Sequence, residues 1–141
     1  MAKVDIKMPD DFLDKLQRIS RDEDGIAERV LAAGADVVYS KVHGNLAGVI
    51  GRGTKTESRS TGQLLSALGV STVKIDREGN HNIKVGFAEP RRDGDSNAKI
   101  ANILEYGRHG QAAKPFLKPA KSASKSACIE AMKRKLEEEV K

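Results

Sequence analysis

The chain has 141 residues, a formal net charge of +5, 38% hydrophobic residues, 4% aromatics and 32% charged residues. That length fits one domain able to bury roughly two thirds of its unfolded surface, and so thin an apolar content describes a soluble protein whose core is readily completed by self-association. No run approaches the ~18 apolar residues of a membrane helix, the first residues lack the apolar stretch of a signal peptide, and the single Cys128 excludes a disulfide framework or an all-Cys metal site.

In chain order, residues 1–9 read as an extended arm ending at Pro9. Asp10 or Asp11 is expected to cap a helix with the apolar stripe Phe12, Leu13, Leu16 and Ile19, and Asp14 adds a favourable negative charge near its start. After a break at residues 21–25, with Asp24 as the expected cap, a second helix carries Ile26, Val30, Leu31, Val37, Val38 and Val42. Between them, Ala27, Ala32, Ala33, Gly34 and Ala35 form a small-residue waist that would let another helix approach closely. This helix is expected to fail near Gly44.

Residues 44–62 hold five glycines, several Ser and Thr, and the basic residues Arg52, Lys55 and Arg59. Nineteen residues without a pattern exceed an ordinary connection, which predicts a long mobile loop that orders on docking with a neighbour. Gly48, Gly51, Gly53, Thr54 and Lys55 have the composition of a phosphate cradle but neither the residue order of a P-loop nor the preceding strand of a dinucleotide fingerprint.

A helical turn or two at residues 61–68 leads into alternation at Val73 and Ile75, a tight turn at Glu78, Gly79 and Asn80, and a return through Ile83, Val85 and Phe87. That is a hairpin, which needs helices on one face and a third strand from this chain or another. Beyond a charged loop, Asn97 is expected to cap a helix with Ile100, Ile103 and Leu104 on one face. The helix breaks at Gly107, and Pro115 and Pro119 then bracket Phe116 and Leu117 as a rigid clip, with Lys114 and Lys118 expected to be extended because each precedes a proline. After Ala120, residues 121–141 predict a long helix whose narrow seam is Cys128, Met132, Leu136 and Val140, with Ile129 beside it and Glu130 paired to Arg134. The fold class is therefore α+β: a small antiparallel sheet packed against N-terminal helices and a long C-terminal helix, with the 44–62 loop, in a single domain spanning residues 1–141.

Leu104, Glu105, Tyr106 and Gly107, followed by a short loop and then Pro115, Phe116, Leu117, Pro119 and Ala120 before a charged terminal helix, resemble the tail-completion (head–tail joining, or neck) proteins of long-tailed bacteriophages. The resemblance extends upstream to the paired N-terminal helices, to Thr61, Gly62, Gln63, Leu64, Leu65 and Ser66, and to Val85 and Gly86. One departure is Arg108 and His109 where relatives often carry Thr or Ser after the glycine. The resemblance implies a non-enzymatic virion protein at the neck, with no cofactor, made in the host cytoplasm and acting in the particle. It implies a sixfold homo-oligomeric ring around the channel through which DNA leaves, contacting connector or adaptor and tail-tube or tail-terminator proteins. Glu105, Tyr106, Gly107, Pro115, Phe116, Leu117, Pro119 and Ala120 are then the interface candidates, and Arg52, Lys55 and Arg59 the docking-loop candidates.

The remaining chemistry points away from catalysis. His43, His81 and His109 have no metal-type spacing, Cys128 on an apolar seam reads as a small core residue, and Glu105 has no evident acid–base partner. Glu105 lies at a helix end where its charge opposes the dipole, and reads as a salt bridge or hydrogen bond that holds the following loop. The rival class is a small basic non-specific DNA-binding protein. Residues 1–50 carry 7 basic against 9 acidic groups (net −2) and residues 51–141 carry 18 against 11 (net +7). The basic residues are interleaved with acids, and few aromatics are present to stack on bases, so the structural reading is preferred. An acidic half and a basic half also suit a head-to-tail contact between copies.

Overall fold

The computed structural model describes residues 3–5, 7–50, 62–89 and 96–141. Helices α1 (Asp10–Arg21), α2 (Glu23–Val49) and α3 (Gln63–Ala67) precede a hairpin of β1 (Leu68–Val70), β2 (Lys74–Ile75), β3 (His81–Asn82) and β4 (Val85–Phe87). Helices α4 (Asn97–Tyr106) and α5 (Leu117–Glu139) follow. The α+β architecture is the one the sequence predicts.

The long helices α2 and α5 run antiparallel. Arg29 near the start of α2 reaches Glu139 at the end of α5, whereas Asn45 near the end of α2 donates to the Phe116 carbonyl at 3.3 Å. They cross closely at the small-residue waist: a Cβ on Gly34 would stand 2.7 Å from Met132 Cγ and 3.1 Å from Cys128 Sγ. A larger residue there would push the helices apart.

Helix α2 does not stop at Gly44; it continues to Val49. Gly44 and Gly48 face open space, with no atom within 4 Å of where a Cβ would stand. Their propensity cost of at most ~1 kcal/mol each is outweighed by burying Val42 and Leu46, with Val49 packed beside them, at about 1.5–3 kcal/mol per large side chain. The rest of the expected loop, residues 51–61, lies outside the described residues.

The hairpin is bent by one extra residue. β1 and β4 pair Leu68 with Phe87 and Val70 with Val85, whereas β2 and β3 pair Lys74 with Asn82 and Ile75 with His81. Residues 71–73 therefore oppose only 83–84, a bulge in which Ser71 Oγ accepts the Lys84 N–H at 2.9 Å. Past the bulge Ile75 faces solvent rather than the core. The turn is fixed by Asp76 Oδ1, which accepts from the Glu78 and Asn80 N–H groups, and by Gly79 at φ +84°. Both described ladders are two-stranded, so the expected third strand is not among the described residues; α2 and α3 back the hairpin instead.

Three expected helix caps are corrected. Pro9 is the N-cap of α1 and makes no side-chain bond, while Asp10 and Asp11 lie in the first turn, where the helix dipole favours them. Asp22, not Asp24, precedes α2, and Asp24 instead lies 2.9 Å from His81 Nε2. Ser96 caps α4 through the Lys99 N–H, which leaves Asn97 buried with its Nδ2 donating to the Ala88 carbonyl. The seam of α5 is partly turned outward: Cys128, Met132 and Val140 are half-buried, and Ile129 and Leu136 are exposed. The pair Glu130 and Arg134 forms at 3.9 Å on the surface.

Candidate docking surface

The segment joining α4 to α5 is held by a carboxylate. Glu105, only 4% exposed, accepts the Phe116 N–H at 2.7 Å and the Leu117 N–H at 2.8 Å on Oε2, and the Lys118 N–H at 2.9 Å on Oε1. Phe116 is the N-cap of α5, and the chain's next two N–H groups open the helix; Pro119, in its first turn, has no N–H to leave unpaired. Ala120 then donates to the Phe116 carbonyl and starts the helical ladder. Every donor of that first turn is thus accounted for. The expectation that Lys118 is extended is corrected here, because a proline at the third helical position removes no bond and its predecessor can remain helical.

The carboxylate at the unfavourable end of α4 is at the same time at the favourable end of α5. Burial pushes the Glu105 carboxyl up, but the three backbone N–H groups and the nearby Lys118 ammonium more than offset this and hold it below the ordinary carboxylate range. The sequence reading of Glu105 as a hydrogen-bonding anchor is what the geometry shows.

Phe116 is fully buried and meets Phe87 of β4 edge-on, with ring centroids 6.1 Å apart. Ala120 is buried beneath it, in one cluster with Val42, Leu46, Leu64, Leu68 and Ala101. Gly107 ends α4 at φ +77°, and a Cβ there would stand 2.8 Å from the Ala113 nitrogen and 2.9 Å from the Gln111 carbonyl oxygen, so only glycine fits. Arg108 and Gln111 close the intervening turn with two backbone bonds, and Gly110 supplies the positive φ. The Lys114 N–H then bonds back to the Leu104 carbonyl.

The eight interface candidates thus divide. Glu105, Phe116 and Ala120 are interior, Gly107 and Leu117 are half-buried, and Tyr106, Pro115 and Pro119 face out. Tyr106 is 77% exposed, a large aromatic standing clear of the body. Arg52, Lys55 and Arg59 lie outside the described residues.

Beside Tyr106 is an open groove of about 710 Å³ between α2, α5 and the hairpin. Leu31, Val38, Ile83 and Met132 contribute its apolar wall, and Lys118 and Lys121 its charged edge. Sequence reasoning missed this groove. The spacing of Leu31, Ala35, Val38 and Val42 marks one face of α2, but periodicity does not tell a covered face from an open one.

Other polar groups are engaged structurally. Arg29 joins Asp22 and Glu139, which raises its own pKa and lowers that of Glu139, in each case chiefly through the shared hydrogen bond. The Tyr39 and His43 rings meet at a 33° tilt with centroids 5.7 Å apart. No group of three His, Cys, Asp or Glu side chains among the described residues could hold a metal ion, and none of the described helices is long and apolar enough to cross a membrane.

A buried clip, a helix-backed hairpin and an exposed aromatic beside an apolar groove make up the candidate docking surface. The chain belongs to the family described as "Bacteriophage HK97-gp10, putative tail-component", whose profile matches residues 10–107. It is a bacteriophage tail component, a structural protein of the virion. No curated protein and no solved structure matches the chain.

Proposed function

We propose that this tail component completes the head–tail interface, as a homo-oligomeric neck ring through which the genome passes. Membership of the tail-component family carries the proposal, together with the Leu104–Gly107 and Pro115–Ala120 segments that resemble tail-completion proteins. The whole chain acts as one domain. Tyr106, Pro115, Leu117 and Pro119 contact neighbouring subunits or the connector and tail-tube proteins, and Glu105, Gly107, Phe116 and Ala120 hold that surface in shape from below. Six copies close the ring by repeating one contact between two different surfaces. DNA is not bound to a defined sequence, since tight specific binding would oppose its passage.

Particles assembled without this protein are expected to accumulate as DNA-filled heads and separate tails in electron micrographs, and adding the purified chain should restore joined particles. Normally joined, infectious particles from the deletion would refute the proposal. A DNA fragment shifted tightly and sequence-specifically at physiological salt would refute the conduit role.

A further inference from the structure

We propose that the groove between α2, α5 and the hairpin receives helix α1 of a second copy of this chain. The proposal rests on the ring reading and deepens it by naming the two surfaces that meet.

Helix α1 is an amphipathic helix whose apolar residues lack sufficient cover. Leu13 is 39% and Leu16 43% exposed, while Ile19, further along the same stripe, is half-buried where α1 packs on α2. Asp10 and Asp14 stand one turn apart beside Leu13, and the first five residues of the helix carry three Asp and no base. The groove has the complementary features: an apolar wall formed by Leu31, Val38, Ile83 and Met132, and an edge carrying Lys118 and Lys121, while Glu105, the carboxylate on the lining, is held by three backbone N–H groups. Its α2 side, between Leu31 and Val42, is about 16 Å long, against about 18 Å for the twelve residues of α1. Apolar contact supplies the attraction and opposite charges fix the direction in which the helix lies.

The helix must come from another molecule. A copy's own α1 is tied at the far end of α5, where Arg18 Nη1 donates to the Lys141 carbonyl at 2.9 Å. Lys121 lies about 30 Å away along α5, beyond the reach of Asp10 and Asp14 while that tie holds. Because donor helix and acceptor groove lie on different parts of the surface, each copy can give and receive at once, which is the requirement for a closed ring.

The native Cys128 lines the groove and serves as a reporter. Leu16→Cys combined with Cys128→Ala would be mixed with the wild-type full-length chain, so that any mixed disulfide formed with diamide joins two copies. Its formation should be at least tenfold faster than with Ser40→Cys/Cys128→Ala, whose new thiol lies on the exposed side of α2. Lys118→Glu/Lys121→Glu in the groove partner should slow it tenfold, and adding Asp10→Lys/Asp14→Lys to the helix partner should recover most of the rate. Equal rates for Leu16→Cys and Ser40→Cys, both in the purified chain and in particles, would overturn the contact, as would indifference to charge reversal. A Cys128 adduct with a different virion protein would assign the groove to that partner and also overturn it. If tail joining still requires the protein in any of those cases, only this contact is refuted; tail joining without the protein refutes the wider reading.

Discussion

Both ends of α5 are fastened by a glutamate, and the two fastenings differ in kind. At one end Glu105 is buried and satisfies three backbone N–H groups at the opening of α5. At the other, Glu139 bonds Arg29 among side chains that water reaches. Removing Glu105 would strand the buried Phe116 N–H and two part-buried donors, whereas removing Glu139 exchanges a protein partner for solvent. The same residue type is therefore structural in one place and nearly dispensable in the other, and burial decides which.

The largest expected effect lies at the buried end. Phe116→Ala should destabilise the chain by about 3–5 kcal/mol in chemical denaturation, because Phe116 fills the space between Phe87, Leu46 and Ala120. Glu105→Ala should follow at about 2–4 kcal/mol, a loss of midpoint without loss of fold in circular dichroism. Since the Glu105 carboxyl is held below its ordinary range, its contribution is fully present above the unfolded Glu value of about 4.3 and is lost as pH falls through the lower folded value. Glu105→Gln should accordingly show a flatter decline of stability below that pH than the wild type. In the middle of the α2–α5 pair, Gly34→Leu should cost about 1–3 kcal/mol by driving against Met132 and Cys128. Glu139→Gln should have the smallest effect, leaving the melting midpoint nearly unchanged in 1 M salt, where exposed ion pairs are screened to about 3 Å. A large loss there, equal to that of Glu105→Ala, would break the comparison.

What could be read in advance follows from how local each signal is. The hairpin was legible because its turn carries its own instructions, with Asp76 folding back on Glu78 and Asn80. The close helix crossing was legible from the small residues around Gly34. The true end of α2 was not, because the reward for passing Gly44 comes from Leu46 meeting Phe116, 70 positions later in the chain. The start of α5 at Leu117 was hidden for a similar reason: a lysine before a proline reads as extended until Glu105, on another helix, is seen to accept its N–H. For the docking surface, sequence singled out the segment from Glu105 to Ala120 without separating its inward side chains from its outward ones. The groove was invisible because it is a gap between three elements, and a gap has no residue pattern of its own.

The turn between Gly107 and Gln111 has a mechanical consequence. Tyr106 is joined to the body through three separate fastenings: the Gly107 amide to the Ile103 carbonyl, the Lys114 amide to the Leu104 carbonyl, and the triple grip of the Glu105 carboxylate on the opening of α5. A pull applied at that ring is shared among them and passes into α5 through the opening turn that Glu105 holds. A joint arranged in this way meets load with stiffness, with no gain in sticking strength required.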